Sequence, residues 1–278
     1  MVLETINLGW LERKPAMIFF FGAAYALFGY LIAMLFFGSN SSVAMLFLTT
    51  LLAVPTLIRL LDAEESIESR EGFHHFIRNH RKVIEVYLFL FLGIFVGYLL
   101  LGLFSQDFTF VFGFQLKFLE RQEGLSTQLI TRFLDRPIEP SFSQVLTILS
   151  NNLLVSAICF VLSVFYGAGA IFLLVFNASI FSSFAVYIAH QLAKLPTDAL
   201  AVIGFFSIHL IPEVLGFLLA AIAGGVVSKA MLTEKLSGPG FTNVLRDAMI
   251  LLLLSACFIA IGAVLEVYAT APLFHQYF

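Results

Sequence analysis

His209 and Glu213 stand four residues apart within an otherwise apolar stretch, Ala199 to Ser228. On a helix an i, i+4 pair shares one face, so an imidazole and a carboxylate would project side by side. Such a couple could ligate a divalent metal such as zinc, relay a proton, or serve as acid and base. It could equally be an internal hydrogen-bonded pair that fixes helix register. Two ligands on one helix fall short of the three protein ligands of a catalytic zinc, and H-L-I-P-E lacks the second histidine of a zincin helix. Asn151, Asn152 and Asn177 are the other polar candidates, and Asn177 is the expected partner of Glu213. His190 and Glu266 read as lying near outer helix ends, where water reaches them. His74, His75 and His80 have no cysteine or acid at a familiar ligand spacing and read as a solvated linker. The chain has no G-x-S-x-G, no phosphate-cradling glycine loop with its lysine, and no nucleophile beside a base, so soluble-type catalysis is unsupported.

The elements that must position these groups are membrane helices. The 278 residues are 60% hydrophobic and 12% charged, with a mean hydropathy of +0.98, more than a water-soluble core could hide. The 33 phenylalanines suit lipid-facing surface. Fifteen basic residues against 18 acidic ones exclude a nucleic-acid partner. Cys159 and Cys257 sit in apolar runs and build neither a disulfide framework nor a zinc knuckle.

About 20 apolar residues cross a hydrocarbon core of about 30 Å. Six stretches meet or approach that length: Ala16 to Phe37, Val43 to Leu61, Val83 to Phe104, Asn152 to Phe176, Ala199 to Ser228, and Ala248 to Leu265. Ala178 to Leu192 is a shorter seventh. The expected fold is an all-α polytopic bundle of about seven membrane segments. The first run is too long for a signal-peptide core and reads as a retained span. With the N-terminus cytoplasmic, only Lys117, Arg121, Arg132, Arg136 and Lys194 of the 15 basic residues fall outside, which favours that orientation and an outer C-terminus in the cell membrane.

One membrane domain is expected over residues 1–278, in four parts. Residues 1–14 form an interfacial helix with Trp10 at headgroup level, and residues 15–104 a three-helix half. In residues 105–144, an outer amphipathic loop, Phe108, Phe110, Phe112 and Phe114 alternate like a strand. Leu125, Leu129, Ile130, Phe133 and Leu134 then recur at helical spacing until Pro137 and Pro140. Residues 145–278 hold the polar spots. Asp62 to Lys82 is a charged inner linker.

Helices in lipid approach through small residues. Gly216, Ala220, Gly224 and Ser228 repeat every fourth position, Gly93 and Gly97 form G-x-x-x-G, and Gly29 with Ala33 is a weaker version. These are seams within the bundle or across a homodimer. Pro212 removes a backbone donor between His209 and Glu213 and predicts a single kinked crossing.

The second half resembles the stage II sporulation protein M family over about residues 145 to 265. The asparagine pair Asn151 and Asn152, G-A-G at Gly167 to Gly169, Asn177, and H-x-x-x-E at His209 and Glu213 leading to Gly224 and Gly225 carry the resemblance. It departs where Ala178 and Leu210 replace glycines and where Pro212 precedes the glutamate. The resemblance implies a non-enzymatic membrane component that works with envelope protein partners, in spore formers with peptidoglycan-degrading ones. Three functions remain open: a scaffold or assembly factor with a dry interior, an intramembrane metal-dependent hydrolase with a bound ion and a wet cleft, and a permease with a polar pathway.

Overall fold

In hydrocarbon no water satisfies a backbone donor, so segments that cross a membrane pair their N–H and C=O groups internally. Accordingly the computed structural model, described over residues 15–55, 76–123, 140–166, 169–192, 195–235 and 237–277, is all helix, with no strand among those residues. The helices are α1 (Pro15–Phe37), α2 (41–55), α3 (Phe76–Phe104), α4 (Phe108–Val111), α5 (Gly113–Glu123), α6 (Phe142–Phe165), α7 (Gly169–Leu192), α8 (Pro196–Thr233), α9 (Pro239–Leu265) and α10 (Ala271–Tyr277). Six described segments are long and apolar enough to span a bilayer, so the chain is a multi-pass helical membrane protein. The expected interfacial helix at 1–14 and most of the inner linker lie outside the described residues.

The first of those segments, Met17–Pro55, is folded in two. Gly38 takes a positive φ of 49°, a turn that glycine makes without steric cost. The Thr49 hydroxyl then donates to the Tyr25 carbonyl at 3.3 Å, a contact impossible along one straight helix. Gly29 lies against Met45 and Thr49 in this hairpin. α3 packs parallel to α1 through Gly22, Gly93 and Gly97, where an added methyl would strike the Phe19 and Leu90 carbonyls or Ala26.

Two expectations need correction. The run Asn152 to Phe176 is no single span: α6 ends at Phe165, Tyr166 leaves helical geometry, and α7 starts afresh at Gly169. Gly167 and Gly169, the poorest helix formers short of proline, mark the break. The supposed short span from Ala178 is the second half of α7. Nor is the Phe108 to Phe114 alternation a strand. Asp107 caps α4 by accepting from the Thr109 and Phe110 amides, and α4 and α5 both meet α7, with Phe108 of α4 stacked on His190 and Phe118 of α5 against Phe176. Phe112 is fully buried and touches the Gly102 position of α3. Residues 108–123 therefore line the bundle along α7. The helix expected over 125–134 lies outside the described residues.

α8 runs unbroken through Pro212, so the chain does not reverse there. Its 38 residues, at 1.5 Å each, extend about 57 Å. α9, a π-helical turn Glu266–Thr270 and α10 return antiparallel to it. Gly262 meets Glu213, Thr270 meets His209, and Tyr277 meets Asp198.

Candidate functional site

His209 and Glu213 occupy one face of α8 and are 8% and 4% exposed, so two groups that would be costly in lipid are screened by neighbouring helices. His209 Nδ1 lies 3.0 Å from the Thr270 hydroxyl, which in turn donates to the Phe205 carbonyl at 3.4 Å. With the hydroxyl proton so engaged, Nδ1–H donates to Thr270 and Nε2 carries the lone pair. Nε2 makes no hydrogen bond among the described residues.

Glu213 Oε1 accepts from Asn152 Nδ2 at 2.8 Å. This corrects the expected partner. The α6–α7 break places Asn152 in mid-helix beside α8, while Asn177 lines a separate cavity of about 10 Å³ with Phe91, Leu174, Val214 and Leu218. Asn151 points away and is exposed. α6 is parallel to α8, as the Ser163 hydroxyl bonded to the Ala221 carbonyl one helical stretch further along also requires.

Glu266, read from sequence as a solvated helix end, completes the cluster. One ligand atom each from His209, Glu213 and Glu266 lie within 4.8 Å of one another. The π turn places Glu266 and Thr270 together on the α8 side, a use typical of such turns at functional sites. Gly262, one turn before Glu266, leaves room for Glu213, whose Cγ would collide with any side chain there. The only signal for Glu266 in the sequence was its spacing from Gly262 and Thr270.

An imidazole nitrogen with two carboxylates suits zinc and similar divalent ions. Glu266 also lines a groove of about 280 Å³ with Ser143, Gln144, Thr147, Ile148, Val267 and Ala271, between the start of α6 and the π turn. The small-residue stripe of α8 faces helices of the same chain: Gly216 touches Ser255 and Ile259 of α9, Ala220 clusters with Cys159 and Ile259, Gly224 touches Phe160 and Ser163 of α6, and Ser228 is half-buried. His74 and His75 lie outside the described residues.

No curated protein and no solved structure matches the chain significantly. A family model does, over residues 86–271, which takes in α3 from residue 86 onward, the α5 segment and all the residues of the cluster. With more than half of its length so matched, this membrane protein with a buried His/Glu cluster belongs to the stage II sporulation protein M family.

Proposed function

We propose that the chain is a non-enzymatic membrane scaffold or assembly factor whose polar half is pinned by a divalent ion, zinc by its donor set, held by His209, Glu213 and Glu266. The carrying observation is the approach of three ligand atoms, from two antiparallel helices, to within 4.8 Å. The Asn152 and Thr270 hydrogen bonds support it, because outer partners that orient ligands are the usual companions of a metal site. An ion there would tie α8 to α9 and, through Asn152, to α6. The segment 105–144 or the inner linker would then be offered to envelope partners or to a second copy of the chain. The basic-residue balance supports a cytoplasmic N-terminus and an outer C-terminus.

Elemental analysis of protein purified without chelators tests the reading. Stoichiometric zinc is expected, lost in His209→Ala and in Glu266→Gln with helical content retained. Wild-type protein that takes up no divalent metal, even when dialysed against zinc, would overturn it. The groove at Glu266 favours one second reading, an intramembrane metal-dependent hydrolase, because a catalytic ion needs a wet approach. Zinc-dependent cleavage of a reporter amide or ester that vanishes in Glu266→Gln would move the assignment to that class.

A further inference from the structure

The ion site and the groove meet at one residue. Glu266 belongs to the three-ligand cluster and to the groove wall. Three protein ligands leave a zinc ion one position short of a tetrahedron, and the groove is the open space beside one of them, Glu266. Its volume of about 280 Å³ is near the lower end for small-molecule sites, enough for one small ligand or a single peptide unit.

Charge and hydrogen bonding decide what would enter. Glu213 and Glu266 already balance a divalent ion, so a third anion would meet two carboxylates across a short gap. A neutral donor meets no such repulsion. Gln144 spends its Oε1 on the amide of Ser141 in the α6 capping box, and its amide nitrogen makes no hydrogen bond among the described residues. Thr147 gives its proton to the Ser143 carbonyl. The groove thus offers an amide donor in the same space that Glu266 lines, a pairing that suits a carbonyl oxygen. Val267, Ala271 and Ile148 supply apolar walls for the groups on either side of it.

We infer that the cluster is an open metal site whose remaining position faces this groove and takes a neutral donor, the carbonyl of an amide or peptide unit. The inference rests on the metal reading and deepens it. A site of this kind is reached from the side of the membrane where α6 begins.

Cobalt-substituted protein in detergent gives the test, since the visible absorption of Co(II) follows coordination number. The probes are imidazole, as a small neutral donor, acetamide in large excess as the carbonyl, and acetate as the anionic control. Imidazole and acetamide are expected to change the bands saturably, and acetate at the acetamide concentration to leave them unchanged. Thr147→Phe and Ala271→Phe, which fill the groove from opposite walls, are expected to abolish both responses while cobalt stays stoichiometric. Bound cobalt indifferent to imidazole would overturn the open position, as would a response that survives both groove-filling variants. Acetate binding as well as acetamide would overturn the ligand class. Protein that binds no cobalt at all fails at the earlier step, the metal reading itself.

Discussion

Glu213 is 4% exposed, and its carboxylate accepts a hydrogen bond from Asn152. Asn152→Leu keeps the branched outline of the side chain but strips the donor, leaving a buried acceptor unsatisfied. Such a loss costs about 1–3 kcal/mol, and thermal unfolding in detergent is expected to show it. Asn177→Leu, beside the small cavity away from the cluster, is expected to change far less. Gly262→Ala drives a methyl into the Glu213 side chain and is expected to destabilise by about 1–3 kcal/mol of overpacking and to lower the zinc content of the proposed site. At this scale the sequence made His209 and Glu213 legible because both ride on one helix, where spacing alone fixes the shared face. Glu266 and Asn152 belong to other helices. Their approach depends on register between α6, α8 and α9, which no local pattern encodes.

Among elements, α4 shows a local signal overriding a periodic one. Four alternating phenylalanines suggest a strand, yet Asp107 accepts from the amides of Thr109 at 3.0 Å and Phe110 at 3.1 Å, and the cap starts a helix. Hydrogen bonding from the Thr109 hydroxyl, then from the Phe110 amide, holds the Asp107 carboxyl below its ordinary value. A depressed folded value means that the cap is fully present above the unfolded value, about pH 4, and weakens as pH falls through the folded one. Protection of the Thr109 and Phe110 amides, as exchange relative to the unfolded chain at the same pH, is therefore expected to fall below about pH 4. In Asp107→Asn, which caps without titrating, this pH dependence is expected to disappear. The glycine seam between α1 and α3 was visible in the sequence, but its partner helix was not. Gly93→Leu sets a side chain against the Phe19 backbone, which cannot swing aside, and is expected to separate the two helices and lower the melting temperature. The gap between α6 and α7 follows from G-A-G, yet reading through it produced one helix too long and another too short.

For the whole molecule, α8 and the α9–α10 segment form an antiparallel pair of about 57 Å, well beyond a hydrocarbon core of about 30 Å, that holds the His/Glu cluster. An ion bound across this pair stabilises only the assembled bundle, by about 2.7 kcal/mol at a hundredfold excess over its dissociation constant. Zinc is expected to raise the melting temperature of the wild type and chelation to lower it, while Glu266→Gln responds to neither. A zinc response undiminished in Glu266→Gln would place the ion elsewhere. The sequence by itself determined that this chain lives in a membrane as helices, because its apolar excess has no other solvent and lipid permits no unpaired backbone. It also determined that His209 and Glu213 share a face, a consequence of helical pitch. Only the tertiary structure decided which helices screen them, that Asn152 and not Asn177 reaches Glu213, and that Glu266 joins them. Those choices depend on close packing of glycine faces and a π turn between helices far apart in the chain, contacts set by the assembled bundle.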